Sequence, residues 1–177
     1  MARFIALLRA VNVGGRKVPM AELRAVCEGL GWEKVATYIQ SGNIVFDAKG
    51  KAEALESELE KAIKERFGFE VPAMVRSAAE WRAMLAANPF AKEAESGLNW
   101  VLIGLAKRKI PAEAAEAIAA KGIAGERVEA AGDALWFQYP EGVGTSKLTP
   151  ALIDRAAGSP VTARNWRTAL ALQEMAE

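Results

Sequence analysis

The sequence predicts an α+β fold built from two tandem units, and three observations carry this prediction. Two β-rich runs close on Gly42-Asn43, and a similar pair of runs closes later on Gly132-Asp133. Each pair follows an apolar run and a helical pattern, and each precedes a second helical pattern and a further short β-rich run. The repetition indicates an internal duplication.

The first half of the chain has the order βαββαβ. The predicted elements are a strand at 4–8, a helix beginning near Pro19, a hairpin turning at Gly42-Asn43, a helix over 52–67 and a strand at 71–76. This order is the split-βαβ or ferredoxin-like pattern. Residues 1–76 are therefore expected to form one ferredoxin-like subdomain.

The second half repeats this order after a joint. Ser77 and Glu80 form a capping box for a short linking helix, which Asn88-Pro89 ends, and a polar joint at 91–97 completes the segment 77–97. The second subdomain, 98–177, is predicted to contain a strand at 99–105, a helix at 111–121, a hairpin at 128–139, a helix at 148–157, a strand at 161–164 and an extra C-terminal helix at 166–176.

One feature of the first hairpin disagrees with simple duplication. A two-residue turn at Gly42-Asn43 places Tyr38 and Gln40 on a face that corresponds to the more apolar face of the second hairpin. Either the second sheet is covered on its helix-free side, or the register of the first hairpin is off by one residue. Both interpretations remain open at this stage.

Composition excludes several classes of function. The chain of 177 residues is 51% apolar with a net charge of +1, which indicates a globular protein and disfavours a general nucleic-acid coat. The single Cys27 excludes an internal disulfide, and the absence of histidine removes the commonest metal ligand and general base. We expect a soluble, cytoplasmic protein, a monomer or weak dimer, with no membrane association, metal or cofactor.

Two glycine-rich loops have the ingredients of an anion site. Residues 12–17 follow the first strand, and residues 142–147 follow a strand and precede a helix. Glycines let backbone amides converge, Thr145 or Ser146 can cap the helix, and Lys147 adds positive charge. The spacing is not that of a Walker A loop. The alternative is that both loops are only tight turns with a cap.

Topology groups these loops with other polar residues. In a βαββαβ unit, the loop 12–17 and the turn 41–43 lie at one sheet edge, whereas 142–147 and 164–167 lie together at the opposite edge of the second sheet. Arg164 beside Lys147 is then a fork for a phosphate or carboxylate. In the alternative, Asn165 caps the last helix, Trp166 packs into the core and the arginines are solvated.

Catalytic groups are few. Tyr38 and Gln40 are candidates for contact with a base or ring, with simple solvation as the alternative. Cys27 lies on an apolar helix stripe and is interpreted as a core residue. The groups available for catalysis are Lys147, Tyr38, Ser41 and Ser146. Catalysis is therefore left undecided.

Five segments of the chain form a recognisable set of motifs. The segments are Ala6-Leu-Leu-Arg-Ala-Val-Asn-Val-Gly-Gly15, Thr37-Tyr-Ile-Gln-Ser-Gly-Asn43, Asn88-Pro-Phe90, Ser146-Lys-Leu-Thr149 and Thr162-Ala-Arg-Asn-Trp-Arg-Thr168. In this order they resemble the bacterial family called domain of unknown function 1697. Ala10 and Val11 depart from the Gly and Ile of the family pattern. The resemblance implies a compact soluble α+β protein with duplicated halves and no assigned activity.

The leading functional interpretation is a site for a phosphate-bearing small molecule or a nucleic-acid end, with nucleic acid disfavoured by the near-neutral charge. The family motif positions coincide with the two loop clusters, and the candidate ligand-binding residues are Arg9, Asn12, Gly14, Gly15, Lys17, Tyr38, Gln40, Ser41, Asn43, Ser146, Lys147, Arg164, Asn165 and Arg167. If the halves pack head to tail, the clusters meet in one cleft. The alternative is a protein-interaction or regulatory module whose motifs are structural.

Overall fold

The structure is a computed structural model that describes residues 1–97 and 100–177. It is a mixed α+β protein with two four-stranded antiparallel sheets. Backbone contacts divide the chain into two compact units, one comprising Met1–Trp81 with Leu172–Glu177 and the other Arg82–Ala171. Among the described residues, no helix combines the length and apolar character needed to cross a bilayer.

In the first unit, two helices cover one face of the sheet. The elements are β1 (Ala2–Leu8), α1 (Met20–Gly29), β2 (Glu33–Thr37), β3 (Asn43–Ala48), α2 (Ala52–Phe67) and β4 (Ala73–Ser77), followed by α3 (Ala78–Ala86). The strands lie in the order β2-β3-β1-β4. Alternate residues of the strands, such as Phe4 and Phe46, pack with Leu23 of α1 and Leu59 of α2 in one buried core.

The second unit has the same strand order. Its elements are α4 (Ala91–Ser96), β5 (Val101–Ala106), α5 (Ala114–Ala119), β6 (Arg127–Ala131), β7 (Ala134–Gln138), α6 (Pro150–Ala157), β8 (Val161–Asn165) and most of α7 (Trp166–Ala176). The strands lie in the order β6-β7-β5-β8. Leu135 and Phe137 pack with Ile118 of α5 and Ile153 of α6.

Several boundaries differ from the sequence predictions. The polar joint at 91–97 contains the short helix α4, which begins after the buried Phe90. Helix α6 begins at Pro150, because the Thr149 hydroxyl accepts the Leu152 amide and caps it there. Helix α5 is shorter than predicted, since residues 112 and 113 form a turn. The predicted strand start at residue 99 lies outside the described residues.

The two-residue turn predicted at Gly42-Asn43 is wrong. Strand β2 ends at Thr37 and β3 begins at Asn43, so residues 38–42 form the connection and Thr37 pairs with Ile44. Positive φ angles at Ile39 (50°) and Gly42 (84°) take the chain out of the extended conformation. The second hairpin does have a two-residue turn, of type I′, with positive φ at Gly132 and Asp133.

This longer connection explains the mismatch between the two hairpins. Ile44 pairs with Ala6 as Leu135 pairs with Gly104, and both apolar side chains face the helices of their own unit. The alignment of the two hairpins is therefore wrong by one residue, because Asn43 begins β3 as Ala134 begins β7. Within the first hairpin the predicted pairing is wrong by four residues, since Thr37 and not Ser41 lies opposite Ile44. The other face of the second sheet is covered as well, where Trp136 contacts Trp166 at 5.8 Å between ring centroids.

Candidate functional site

Two loops of the first unit meet at the sheet edge where β1 and β2 end. We call residues 12–17 the Gly-Gly loop and residues 38–42 the Tyr38 loop. The Asn12 side-chain amide donates to the Gln40 carbonyl at 2.6 Å, and the Leu8 amide donates to the Gly42 carbonyl at 2.8 Å. The structure therefore makes these loops neighbours, as their topology predicted.

Asn12 holds the Gly-Gly loop in shape. Its Oδ1 accepts the Val18 amide at 2.9 Å, while its Nδ2 donates to the Val18 carbonyl at 3.1 Å. Its own backbone, at a φ of 58°, donates to the Arg16 carbonyl. The Asn12 side chain therefore bonds both backbone groups of Val18 and also joins the Gly-Gly loop to the Tyr38 loop, so it positions the backbone amides of the Gly-Gly loop.

Asn43 does the same for the Tyr38 loop. It is fully buried, and its Nδ2 donates to the Tyr38 carbonyl and to Ser41 Oγ, both at 2.9 Å. Next to it, Gly42 has no room for a side chain, because a Cβ there would lie 2.8 Å from Leu8 Cβ and Val11 Cγ2. Packing and hydrogen bonding thus account for the Ser41-Gly42-Asn43 motif.

The outer part of the Gly-Gly loop remains available to a ligand. Gly14 and Gly15 have φ angles of 57° and 83°, and among the described residues the amides of Val13, Gly14 and Gly15 find no acceptor. Lys17 is exposed and forms no ion pair within residues 1–97 and 100–177. The Arg16 guanidinium donates to the Glu70 carbonyl and lies over the Phe69 ring at 5.7 Å.

The remaining predicted residues of this edge differ in exposure. Arg9 is half-buried, and its backbone amide donates to the Pro72 carbonyl at 3.0 Å. Tyr38 is half-buried and Gln40 is exposed. Because residues 38–42 are a loop and not a strand, Tyr38 and Gln40 lie beside the Gly-Gly loop and not on an open sheet face.

In the second unit, Arg164 lies on the face of the sheet away from the helices. The ends of β7 and β8 share one edge, as predicted, since Gln138 pairs with Val101 and Asn165 pairs with Leu102. Arg164, however, pairs with Ile103, on the face opposite the core that contains Leu102 and Leu148. Leu148, the residue after Lys147, packs in that core, so the register gives no support to a fork of Lys147 and Arg164.

The segment that contains Arg164 is built into the fold. Arg164 is 8% exposed and donates to Thr162 Oγ1 at 2.7 Å and to the Ala163 carbonyl at 2.9 Å. Burial lowers the pKa of its guanidinium to about 10. Asn165 Oδ1 accepts the Thr168 amide and caps α7, whereas Arg167 is exposed. These contacts favour the structural alternative for this motif.

The loop 142–147 has a carboxylate partner that the sequence did not reveal. The Ser146 hydroxyl donates to Glu126 Oε2 at 2.7 Å and accepts the Leu148 amide, while the Ala124 amide donates to Glu126 Oε1. The Ser146 hydroxyl is the main cause that lowers the pKa of the buried Glu126 below its usual value. Glu126 is distant in sequence and matches no motif. Its negative charge disfavours an anion at Ser146.

This bond predicts a pH-dependent stability. Because the pKa of Glu126 is lower in the folded than in the unfolded protein, its stabilisation is present above pH 4.5 and is lost as the pH falls through the folded pKa. We therefore expect Ser146→Ala to reduce the free energy of unfolding more at pH 7 than at pH 3, as measured by denaturant unfolding. Thr145→Ala, in the same loop, should show no such pH difference.

Comparisons with known proteins place the chain in a family. A family model described as "Protein of unknown function (DUF1697)" matches residues 1–136. The chain belongs to this family. A solved structure described as that of conserved bacterial protein SP0830 from Streptococcus pneumoniae matches with a TM-score of 0.73 and 23% identity, over 99% of each chain. That similarity shows the fold. No curated protein matches significantly.

The DUF1697 match covers the Gly-Gly loop and the Tyr38 loop but ends before Ser146 and Arg164. The segments 146–149 and 162–168 therefore lie outside the matched residues, within the part of the chain that only the structural similarity covers. The Gly-Gly loop, whose amides at residues 13–15 have no acceptor among the described residues, therefore lies in the part of the chain that the family model matches.

The left-handed backbone conformation of Ala10 has a stability consequence. Ala10 is exposed and has a φ of 57°, where a Cβ costs about 1–2 kcal/mol and glycine does not carry this cost. We expect Ala10→Gly to raise the free energy of unfolding by about 1 kcal/mol in denaturant unfolding. Ala112→Gly, at an exposed turn residue without positive φ, is the control and should lower stability or leave it unchanged.

Proposed function

We propose that the first unit of this DUF1697 protein binds a phosphate-bearing or other anionic ligand at the Gly-Gly loop. The observation that carries the proposal is the run of amides at Val13, Gly14 and Gly15, which lack acceptors among the described residues. Successive backbone N–H groups in a left-handed turn form a concave anion-binding surface. Such a site needs neither a histidine nor a metal.

The charges around the loop favour an anion. Lys17 adds an exposed ammonium group, and Arg16 adds a guanidinium held by Glu70 O and Phe69. The carboxylate of the neighbouring Glu70 forms an ion pair with Lys64 at 3.2 Å. An exposed ammonium attracts phosphate as a point charge, whereas a guanidinium can bind two of its oxygens.

We also propose that the protein is a duplication of a ferredoxin-like unit. The proposal is supported by the matching strand orders β2-β3-β1-β4 and β6-β7-β5-β8. It is further supported by Arg76 and Arg164, which pair with Ile5 and Ile103 and donate to the carbonyl of the preceding residue in each case. In this proposal α3 and α7 are equivalent, so the linking helix belongs to the repeat.

A second candidate is a protein-interaction or regulatory module in which the motifs are structural. It is favoured by the hydrogen bonds of Asn12, Asn43 and Asn165, all of which are used within the fold. The two candidate functions differ in whether the native protein binds an anion. A structural module gains nothing from phosphate, whereas a ligand that binds the native state at a hundred times its dissociation constant stabilises it by about 2.7 kcal/mol.

The test is thermal unfolding of the full chain in a phosphate titration at constant ionic strength. We expect the wild-type midpoint to rise by several degrees and the rise to disappear in Lys17→Ala. Lys147→Ala is the matched control, because Lys147 is also an exposed lysine of a glycine-rich loop. A shift that survives Lys17→Ala and disappears in Lys147→Ala would contradict the proposed position. No shift in any variant would favour the interaction module.

A further inference from the structure

Ile39 combines two unfavourable features. Its side chain is 53% exposed, and its φ of 50° lies in the left-handed region that β-branched residues rarely adopt. Neither burial nor local backbone preference therefore accounts for isoleucine at this position. Strained residues that the surrounding structure holds in place are concentrated at ligand-binding sites.

Val13 lies in the Gly-Gly loop, which is hydrogen-bonded to the loop that contains Ile39. Its side chain is 57% exposed, and its amide is the first of the three that carry the proposed anion site. Asn12 Nδ2 donates to the Gln40 carbonyl at 2.6 Å and so joins the two loops. Asn12 precedes Val13 in sequence, and Gln40 follows Ile39. Two exposed apolar groups therefore lie on two loops that are tied together, and one of these loops contains the proposed anion site.

The same loop also offers polar groups. Tyr38 is half-buried and Gln40 is exposed, and they flank Ile39 in sequence. Aliphatic side chains pack on the face of a planar ring, and a side-chain amide can both donate to and accept from its polar edge. An alkyl phosphate would use only the apolar groups, and a sugar phosphate only the polar ones.

From these observations, and resting on the proposed function, we infer that the anion is the phosphate of a nucleotide whose base contacts Val13 and Ile39. The phosphate binds the amides of the Gly-Gly loop, and the side chain of Gln40 bonds the edge of the base. Both a free nucleoside monophosphate and the 5′-phosphorylated end of a nucleic-acid strand have this chemistry.

The test is isothermal titration calorimetry of the full chain with inorganic phosphate, ribose 5-phosphate, butyl phosphate, adenosine and adenosine monophosphate. Burial of two aliphatic side chains predicts that the nucleotide binds at least about tenfold more tightly than the other four compounds. A 5′-phosphorylated dinucleotide distinguishes the two sources, since tighter binding than the mononucleotide assigns a strand end and equal or weaker binding assigns a free nucleotide.

Ile39→Gly gives the second readout. Glycine adopts positive φ without strain, so the variant should keep or raise the melting temperature while its affinity for the nucleotide falls about tenfold towards that for phosphate. Ile123→Gly is the control, since Ile123 is 76% exposed in the second unit and should leave nucleotide affinity unchanged.

The outcomes separate this inference from the function on which it rests. Equal affinities for phosphate and nucleotide would overturn the inference and leave the anion site standing. Tight nucleotide binding that Ile39→Gly does not weaken would also overturn it, because the base would then lie elsewhere. Absence of binding by all compounds would overturn both the inference and the proposed function.

Discussion

Gly42→Ala is expected to lower the free energy of unfolding by about 2–5 kcal/mol, the largest effect of any single methyl group that we predict for this protein. The glycine has a φ of 84°, and an added Cβ would lie 2.8 Å from both Leu8 Cβ and Val11 Cγ2. Both neighbours are buried, so neither can move without displacing the core. Denaturant unfolding measures the change.

Gly31→Ala separates the two causes of this loss. Gly31 has nearly the same φ, 85°, but a Cβ there meets no atom within 4 Å. It should therefore cost only the backbone strain of about 1–2 kcal/mol. Equal losses at the two positions would show that the contact between the Tyr38 loop and the end of β1 is looser than the structure indicates.

Asn43→Ala is expected to cost about 2–4 kcal/mol of unfolding free energy, because it leaves the part-buried Tyr38 carbonyl without the Asn43 donor and opens a small cavity. Asn43 is fully buried, and its Nδ2 also bonds Ser41 Oγ. The loss should appear in denaturant unfolding as a lower midpoint with an unchanged slope.

Asn43→Asp tests the same hydrogen bonds without changing the volume. A buried carboxylate cannot donate to the Tyr38 carbonyl, and burial raises its pKa above that in the unfolded chain. The folded state is therefore favoured at low pH and loses stability as the pH rises through the folded pKa. Stability that is independent of pH between 4 and 7 would contradict the donor role assigned to Asn43.

Much of the fold could be predicted from local patterns. The apolar spacing from Ala52 to Phe67 and the glycine after it predicted α2, which ends at Gly68 with a φ of 83°. The capping box was also confirmed, since the Ser77 hydroxyl accepts the Glu80 amide and the Glu80 carboxylate accepts the Ser77 amide. These features depend on residues three or four positions apart, which a sequence displays directly.

The first hairpin could not be predicted in the same way. Its connection is set by Asn43, whose side chain bonds the Tyr38 carbonyl, and by Asn12, which bonds the Gln40 carbonyl from another loop. Tertiary bonds of this kind overrode the local preference of Gly42-Asn43 for a two-residue turn. At Gly132-Asp133, by contrast, the chain forms the two-residue turn that the local preference predicts.

The candidate site was also predictable from the sequence only in part. Topology correctly placed the Gly-Gly loop beside the Tyr38 loop, because strand order alone determines which loops share an edge. It did not show that Arg164 is buried on the face away from the helices, since this requires the exact register that sends alternate side chains to opposite faces. The bond between Ser146 and Glu126 joins two loops and was not visible in any motif.

Amide chemical shifts in a phosphate titration give the most direct test of the anion site. In ¹⁵N-labelled protein we expect saturable shifts at Val13, Gly14 and Gly15, because their amides would donate to the bound oxygens. The amides of Gly142 and Gly144, in the loop whose Ser146 bonds the Glu126 carboxylate, should not move. Shifts confined to residues 142–147, or none at all, would contradict the account that the Gly-Gly loop is the ligand site.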